Sequence, residues 1–378
     1  MVRQATILLT LTALLVSATA CGQGRTGAGA PAAGAAHARA ATAEMASGKE
    51  IVGGKAEKAA VAGVTRATRA AETTEAGGQF WVTTPADSLL AESILARLKE
   101  YLKEKEGSRD QKEKERGLVS IAELMVLAGR MLQGQPYVAG TLDGNTAEAT
   151  GDKKAVAAGD EKAVAAGGQA EGDVWREELR IYLTRTDCII FVETCLALAR
   201  TARQDGDFQT FADEIRQSRY RDGHIETYAD RLHYTTEWGM QGAQRGILKD
   251  VTEALGGVVR NRPVNYMSTH PGSYPLMDDV EAIRKAEDRI NSSTRHYIPE
   301  DRIGQALKGI RSGDIICMVT DVEGLDVSHV AMAVVENGTV RLLHASTSSM
   351  KVQLDPRPLP DYVRSRTSIL GIQVLRPL

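Results

Sequence analysis

The stretch that decides the fold is Arg185-Thr186-Asp187-Cys188-Ile189-Ile190-Phe191-Val192-Glu193, in which a cysteine follows Thr-Asp and opens an apolar run at helical spacing. Thr186 and Asp187 are both natural N-cap residues, so the pattern predicts a helix from Cys188 to about Arg203. In the first turn of a helix, unpaired N–H groups and the helix dipole favour a thiolate, which is the nucleophilic form of cysteine. Cys188 is therefore a candidate nucleophile. The alternative is a buried structural cysteine, which the sequence predicts for Cys195 in the middle of the same helix.

The first residues of the chain have the features of a bacterial export signal. Residues 1–21 contain one basic residue, Arg3, then an apolar run over 5–16 and small residues directly before Cys21. The run is too short for a permanent membrane-spanning helix, and small residues before a cysteine are typical of a lipoprotein cleavage site. We expect lipidation at Cys21, which predicts an exported lipoprotein of the periplasm or outer membrane. The alternative is an ordinary secretory signal in which Cys21 has no role.

Two further segments have compositions that do not predict a packed core. Residues 22–77 are rich in Ala, Gly and Thr and have almost no large apolar side chains, which predicts a disordered tether. Residues 144–172 include a tandem octapeptide, in which Gly-Asp-Lys-Lys-Ala-Val-Ala-Ala is followed by Gly-Asp-Glu-Lys-Ala-Val-Ala-Ala. Two copies are too few for a solenoid, so this segment is interpreted as a low-complexity insertion in a surface loop.

The remaining residues, 78–378, are expected to form one α+β domain. Helical periodicity covers Ser88–Lys105, 120–132 and 280–290, and Ser120 with Glu123 matches the capping-box pattern. The last quarter of the chain changes to strand periodicity, with Asn337-Gly338 as a hairpin signal. The predicted strands are 314–320, 329–335, 339–344, 350–354 and 369–375. A helix-rich first half therefore precedes an antiparallel sheet.

Two histidines in the predicted strands complete a catalytic pattern. A catalytic thiol needs a base, and that base needs a group that orients it. Of the seven histidines, only His329 and His344 lie in the strand region. A hairpin that turns at Asn337-Gly338 pairs residue 329 with about residue 346, so the two rings can be neighbours across the strands. Together with Cys188, this spacing predicts cysteine amidohydrolase chemistry.

A polar and aromatic segment, residues 218–244, lies between the cysteine helix and the strands. Its weak periodicity predicts loops and short helices, and such a composition is typical of a ligand-facing surface. Arg231 is a candidate cation for a substrate carboxylate, and His233, Tyr234 and Trp238 are candidate rings for a sugar face. The alternative is that these rings pack between secondary-structure elements.

Composition argues against several other classes of function. The net charge of −3 gives no indication of a nucleic-acid surface. A His-Glu-x-x-His pattern is missing from the sequence, which disfavours a zinc amidase, and no metal or cofactor is expected. The four cysteines do not form a disulfide framework. Cys188 and Cys195 would lie about 10 Å apart along one helix, too far for a bridge.

Several segments resemble the NlpC/P60 superfamily of cell-wall cysteine hydrolases, and within it the DUF1460 branch of N-acetylmuramoyl-L-alanine amidase-like proteins. The resemblance extends over residues 80–378, and Asp187-Cys188 followed by Phe191-Val192-Glu193, with both histidine segments, is its specific part. The matching segments are Gly134-Gln-Pro-Tyr137-Val-Ala-Gly, Asp187-Cys188-Ile-Ile-Phe-Val-Glu193, Arg231-Leu-His-Tyr-Thr-Thr-Glu-Trp238, Ser312-Gly-Asp314-Ile-Ile, Gly324-Leu-Asp-Val-Ser-His329-Val-Ala and Leu342-Leu-His344-Ala-Ser-Thr.

The resemblance implies a papain-like α+β fold with the catalytic cysteine at a helix N-terminus packed on an antiparallel sheet. It implies Cys188 as nucleophile, His329 as general base and acid, and His344 as the orienting third member. Tyr137 would line the site near the oxyanion, and the N–H of Cys188 is the expected backbone oxyanion donor. The implied substrates are peptidoglycan fragments (muropeptides), and the implied scissile bond is the amide between N-acetylmuramic acid and L-Ala.

One departure from the superfamily pattern bears on the substrate. Ile189-Ile190 follow the cysteine, where endopeptidase branches usually have Ser-Gly and this branch usually has Thr. Those small polar residues help an endopeptidase to hold the free amine of a stem peptide, so their absence favours the amidase. The alternatives are an endopeptidase that cleaves between D-Glu and the diamino acid, and a non-catalytic cell-wall-binding lipoprotein. A binding module has no need of a paired base. The sequence leaves the oligomeric state open.

Overall fold

The computed structural model describes residues 80–107, 118–143, 177–277 and 279–378. The predicted export signal with Cys21, the predicted tether over 22–77 and the predicted insertion over 144–172 lie outside the described residues. They therefore stay predictions from the sequence.

The described residues combine helices, mostly in the first part of the chain, with strands that concentrate in the last quarter. The helices are α1 (Pro85–Gly107), α2 (Ile121–Met131), α3 (Cys188–Arg203), α4 (Phe208–Arg219), α5 (Thr235–Gln244), α6 (Tyr266–Thr269), α7 (Val280–Asn291), α8 (Ile303–Ala306) and α9 (Leu359–Arg364). The strands are β1 (Trp81–Val82), β2 (Leu179–Arg180), β3 (Leu248–Asp250), β4 (Val258–Val259), β5 (His296–Pro299), β6 (Ile315–Thr320), β7 (Val327–Glu336), β8 (Thr339–Ser346), β9 (Lys351–Leu354) and β10 (Ile369–Pro377). This mixture confirms the α+β class.

The main sheet of the described residues has eight strands in the order β4-β5-β10-β6-β7-β8-β9, with β3 also paired to β10. Every pair in it is antiparallel, as the alternating runs predicted. The short strands β1 and β2 form a separate parallel pair. The two strands that carry His329 and His344, β7 and β8, are neighbours near one edge of the main sheet.

Helix α3 is the central helix of the larger hydrophobic core. It contacts α1, α2 and α4 as well as strands β7 and β8, and its side chains from Ile190 to Ala199 are all buried. Phe191 and Leu198 are completely buried, and burial of such a side chain contributes about 1.5–3 kcal/mol. The helix is thus fixed on every side, and its first residue, Cys188, is held against the sheet.

The β7–β8 hairpin confirms the register that the sequence predicted. Asn337 and Gly338 have φ angles of 50° and 76°, the left-handed pair that a two-residue hairpin turn requires. Glu336 pairs with Thr339, and Met332 pairs with Leu343. Continuation of this register sets residue 329 opposite residue 346, and so places His344 diagonally across from His329.

Helix boundaries differ from the sequence prediction mainly at α1, which begins at Pro85 rather than Ser88. Proline is favoured in the first turn because its missing N–H is not needed there. Asp87 is buried inside that turn, and its carboxylate accepts hydrogen bonds from the N–H groups of Leu183 and Thr184 at 2.8 and 2.7 Å. Asp87 therefore ties α1 to the segment that leads into Cys188.

Gly313, in the Ser-Gly-Asp segment before β6, occupies a position that only glycine can fill. Gly313 has a φ of +86°, and a Cβ there would lie 2.5 Å from the backbone oxygen of Ala122 in α2. Only glycine fits both the left-handed backbone and this close approach. The segment is thus a packing feature that seats α2 on the start of β6.

No helix within the described ranges combines the length and the apolar character needed to cross a membrane.

Candidate active site

Cys188 is the first residue of α3, where the sequence predicted it. Asp187 is the N-cap, and its carboxylate accepts a hydrogen bond of 2.9 Å from the N–H of Ile190. Cys188 is partly exposed, in contrast to Cys195, which is completely buried in the same helix. Cys188, Cys195 and Cys317 are free thiols. Of these three residues, Cys188 is the least buried, and it is the one at a helix N-terminus, where a nucleophilic cysteine is expected.

The electrostatics of Cys188 differ from the sequence expectation. Burial of its sulfur and the nearby Asp187 carboxylate raise the pKa of the Cys188 thiol to about 12. The N–H groups of Val330, Ile189 and Cys188 act in the opposite direction but do not compensate. Burial also raises the pKa of Asp187, to about 6, so this cap is largely ionised at neutral pH. The N–H groups therefore act in the predicted direction, but burial and Asp187 outweigh them, and the resting group is a thiol.

Tyr137 lies beside the thiol because its segment is bonded on both sides. The Tyr137 N–H donates to the carbonyl of Met350 at 3.0 Å, and the Val138 N–H donates to the carbonyl of Thr186 at 2.9 Å. This segment therefore bridges the start of β9 and the residues before Cys188. The Tyr137 ring is buried, and burial together with Cys188 and Asp187 raises the pKa of its hydroxyl, so that the hydroxyl stays protonated.

His329 and His344 form a bonded pair, as the register predicted. Nε2 of His329 lies 2.7 Å from Nδ1 of His344, and the ring centroids are 5.0 Å apart at 80°. Both side chains are buried. The thiol of Cys188 interacts with the N–H of Val330, the residue that follows His329 on β7. Burial, then His344 and Arg366, lowers the pKa of His329 well below its ordinary value, so His329 is neutral at physiological pH.

An acidic residue that the sequence did not single out continues this chain of side chains. Oδ2 of Asp355, directly after β9, lies 3.7 Å from Nε2 of His344, and the Asp355 carboxylate is 1% exposed. Arg357 holds that carboxylate with bonds of 2.9 Å from Nε to Oδ1 and 2.7 Å from the terminal nitrogen to Oδ2. Although burial acts in the other direction, hydrogen bonds from Arg357 and the nearby His344 ring lower the pKa of Asp355 well below its ordinary value.

Tyr362 and Arg366, from α9 and the turn after it, cover the histidine pair. The Tyr362 ring is buried and lies 6.4 Å from the His329 ring and 5.4 Å from the His344 ring, centroid to centroid. The guanidinium of Arg366 lies 5.4 Å from the centre of the Tyr362 ring. Neither residue was predicted, because α9 lies beyond β9 in the chain and carries no motif of its own.

Arg231 does not have the environment that the sequence suggested. Its side chain is buried, and all of its side-chain nitrogens are bonded to protein oxygens. Nε donates to Glu177 at 2.6 Å, one terminal nitrogen donates to Asp143 at 2.6 Å, and the other donates to Glu177 at 2.9 Å and to the carbonyl of Leu142 at 3.3 Å. The guanidinium is an internal clamp in this structure, with no nitrogen left for a substrate carboxylate.

The three predicted rings of the same segment are also engaged inside the protein. Nε2 of His233 lies 2.8 Å from the carbonyl oxygen of Tyr228, and burial lowers the pKa of His233 to about 3. The hydroxyl of Tyr234 donates to Glu287 at 2.7 Å, and Nε1 of Trp238 donates to Ser218 at 3.0 Å. Tyr234 and Trp238 are buried, so the packing alternative describes both of them better than a sugar platform does.

The part of the chain that the structure describes contains no cluster of potential metal ligands. No group of three or more His, Cys, Asp or Glu side chains there has the arrangement to hold a metal ion.

Comparison with known proteins assigns the family. Residues 163–372 match the AmiA-like family, described as N-acetylmuramoyl-L-alanine amidase-like. The chain belongs to the AmiA-like family. The matched range contains Cys188, His329, His344 and Asp355. No curated protein matches the chain.

Solved structures support the assignment of this AmiA-like chain. It is similar to an N-acetylmuramoyl-L-alanine amidase from Bacteroides uniformis, with 30% identity over 68% of this chain and 99% of that one, and a TM-score of 0.56. A Bacteroides fragilis protein described as a candidate xylanase has 33% identity over 66% of this chain and 98% of that one, with a TM-score of 0.53. A Legionella pneumophila protein of the DUF1460 family shares the fold at 20% identity, covering 78% and 96%, with a TM-score of 0.51.

Proposed function

We propose that this AmiA-like chain is a cysteine amidase that hydrolyses the amide bond between N-acetylmuramic acid and L-Ala in peptidoglycan fragments. The observation that carries the proposal is the bonded His329–His344 pair on the strands beside Cys188, a partly exposed residue at a helix N-terminus, in a chain of an amidase-like family. The arrangement is the one expected of a papain-like fold of NlpC/P60 type. A thiol, a base and an orienting group are the parts that acyl transfer through a covalent intermediate needs.

In the proposed reaction the Cys188 sulfur attacks the carbonyl carbon of the muramoyl amide. Because Nε2 of His329 is bonded to His344, Nδ1 of His329 is the nitrogen left to take the thiol proton. Collapse of the tetrahedral intermediate breaks the C–N bond, and the same proton passes from His329 to the departing amine of L-Ala. Water then attacks the muramoyl thioester, with His329 again as base. The C–S bond breaks, the proton on His329 returns to the Cys188 sulfur, and the muramic acid carboxyl group is released.

The resting protonation states make this a general-base mechanism. A thiol with a raised pKa and an imidazole with a lowered pKa form a neutral pair, so proton transfer must accompany the attack. We assign two donors to the oxyanion: the N–H of Cys188 at the start of α3 and the hydroxyl of Tyr137, whose raised pKa keeps it protonated beside Cys188. The loss of one such donor typically costs ~10²–10³ in rate.

The carboxyl groups around the site do not favour glycoside hydrolysis. That chemistry ordinarily uses one protonated and one ionised carboxyl on either side of the bond. Here Asp355 is buried and clamped by Arg357, and Asp187 caps α3. Both carboxylates therefore bind groups of the protein itself, whereas Cys188 is a partly exposed residue at the start of α3.

We further propose that the enzyme acts outside the cytoplasm, attached to a membrane through lipid on Cys21. The lipoprotein pattern of residues 1–21 supports this proposal. Muropeptides are present on that side of the membrane, which agrees with the substrate proposed for the site.

Mass spectrometry of muropeptides after incubation with the protein tests the reaction directly. We expect fragments that correspond to free stem peptide with an L-Ala amine and to peptide-free sugar. Cys188→Ala is expected to abolish this cleavage, whereas Cys195→Ala, in the same helix, keeps most of it. The sugar-free tripeptide L-Ala-D-Glu-diamino acid is expected to stay intact. Efficient cleavage of that tripeptide would show an endopeptidase, and turnover by Cys188→Ala near the wild-type rate would remove Cys188 as the nucleophile.

A further inference from the structure

Asp355 is placed to control which nitrogens of the histidine pair carry protons. Its carboxylate is almost completely buried, yet it is ionised because Arg357 holds it through both oxygens. An ionised carboxylate can only accept hydrogen bonds. The nearest polar group of the histidine pair is Nε2 of His344, 3.7 Å from Oδ2, and that buried nitrogen has no hydrogen bond to any described residue. Asp355 therefore favours the form of His344 that carries hydrogen on Nε2.

The protons of both rings follow from this one preference. A neutral imidazole has one protonated and one bare nitrogen, so His344 with hydrogen on Nε2 has a bare Nδ1. At 2.7 Å, Nε2 of His329 must then donate to that bare Nδ1. His329 consequently has its own Nδ1 bare. Nδ1 of His329 is the nitrogen that has to accept the thiol proton. Through His344, the Asp355 carboxylate therefore selects the tautomer of His329 that can act as the base.

We propose that Asp355 is a positioning residue that sets the tautomers of His344 and His329 and so keeps Nδ1 of His329 ready as the base. This proposal rests on the proposed amidase function and extends the set of Cys188, His329 and His344 by a fourth member. When His329 takes the thiol proton it becomes a cation, and the buried charge of Asp355 also stabilises that state.

Asp355→Asn is expected to exchange the protonated and bare nitrogens of both histidine rings. Oδ1 accepts two bonds, from the N–H and from Nε of Arg357, both at 2.9 Å. Two donors face Oδ1 and one, the terminal nitrogen of Arg357, faces Oδ2. The amide oxygen of Asn is therefore favoured at the Oδ1 position, and its NH₂ group displaces that terminal nitrogen and turns toward His344. His344 must then accept on Nε2 and carry hydrogen on Nδ1. That hydrogen forces Nε2 of His329 to be bare and Nδ1 of His329 to be protonated, which is the wrong form for a base.

The chain offers a matched control for the loss of a buried carboxylate. Asp314 is completely buried and is held by Arg376 in the same way, with bonds of 2.8 Å from Nε to Oδ1 and 2.7 Å from the terminal nitrogen to Oδ2. It also accepts a backbone N–H, from Arg311 at 2.8 Å. Asp314→Asn therefore removes the same charge from the same kind of clamp, but its carboxylate bonds to no histidine.

The test compares Asp355→Asn and Asp314→Asn in the full-length protein. We expect Asp355→Asn to lower kcat for muropeptide by roughly 10²–10⁴-fold with little change in KM, because the exchange leaves the shape of the site intact but inverts the tautomers. Asp314→Asn should lower Tm and leave kcat within about threefold. In protein labelled with ¹⁵N at the histidine side chains, Nδ1 of His329 should give the signal of a bare nitrogen in wild type and of a protonated nitrogen in Asp355→Asn.

The nitrogen signals separate this proposal from the proposed function. They are read without turnover, so a protein that leaves muropeptides intact still reports the tautomers. A protonated Nδ1 of His329 in wild type overturns the proposal. Unchanged His329 and His344 signals in Asp355→Asn, or a fall in kcat no larger than that of Asp314→Asn, also overturn it and leave Asp355 a structural carboxylate.

Discussion

At the scale of single residues, the site is defined by competition between burial and charge. The start of α3 offers N–H groups that favour a thiolate, but desolvation and the Asp187 carboxylate outweigh them. The pKa of His329, the base, is lowered instead, because burial and nearby positive charge disfavour its protonated form. A neutral thiol and a neutral imidazole therefore coexist over a wide range of pH. This state resembles a serine hydrolase more than a preformed thiolate–imidazolium pair.

The acid limb of kcat/KM tests this balance. The groups that face His329 are His344, Tyr362 and Arg366, and the thiol of Cys188 contacts the N–H of the neighbouring Val330. Because the folded protein lowers the pKa of His329, the base stays neutral as the pH falls through 6.5, the ordinary value for histidine. We expect the midpoint of the acid limb, measured with muropeptide substrate, below 6.5. A midpoint at or above 6.5 would contradict the neutral pair.

A variant of Arg366 tests whether nearby positive charge lowers the pKa of His329. Arg366→Gln removes a cation that disfavours protonation of His329, so the pKa of His329 and the acid limb should both move to higher pH. Arg364→Gln is the control, because Arg364 is 65% exposed and pairs with Asp361 and Glu300 instead. It should leave the pH profile unchanged.

At the scale of elements, the sequence predicted well where local periodicity is decisive. Alternating residues and the Asn337-Gly338 turn placed β7 and β8 in the observed register, and the Asp187 cap placed the start of α3. Asp355 and Tyr362 were missed because their proximity to His344 depends on how β9 and α9 pack, and no local pattern encodes that packing. The same limit affected Trp238, whose ring packs at the interface between α4 and α5.

Arg231 provides an element-scale prediction, because it joins chain segments that are distant in sequence. Its guanidinium holds Asp143 and Glu177, whose side chains are 21% and 0% exposed. Arg231→Met leaves both carboxylates without their cation, although Glu177 keeps its bond from the Tyr220 hydroxyl. Removal of one partner from a buried ion pair typically costs about 3–5 kcal/mol. We expect a loss of that size in the free energy of unfolding, measured by urea denaturation.

Arg284→Met is the control for this loss. Arg284 is 58% exposed and forms a surface pair with Glu281, so its replacement should cost less than about 1 kcal/mol. Residual folded Arg231→Met protein should keep the wild-type KM, because its guanidinium has no free nitrogen for substrate. A variant that folds with wild-type stability but has a strongly raised KM would restore the sequence-based role of Arg231 in binding.

At the scale of the whole molecule, the proposed anchor determines where the active site can work. The sequence predicts a lipidated Cys21 followed by a flexible stretch over 22–77, ahead of the domain that begins at Phe80. A flexible chain of that length has a root-mean-square reach of about 40 Å. Such a tether lets the site sample substrate near the membrane surface while the lipid prevents its loss by diffusion.

Cys21→Ser tests the anchor apart from the chemistry. The serine variant cannot carry the thioether-linked lipid, so we expect it to lose radiolabelled fatty acid and to move from the detergent-extracted membrane fraction to the soluble periplasmic fraction. Its kcat on soluble muropeptides should equal that of wild type, because Cys21 has no part in the proposed site. Cys188→Ala should behave in the opposite way, with the lipid retained and turnover lost. If Cys21→Ser still requires detergent for release, another part of the chain holds the protein at the membrane.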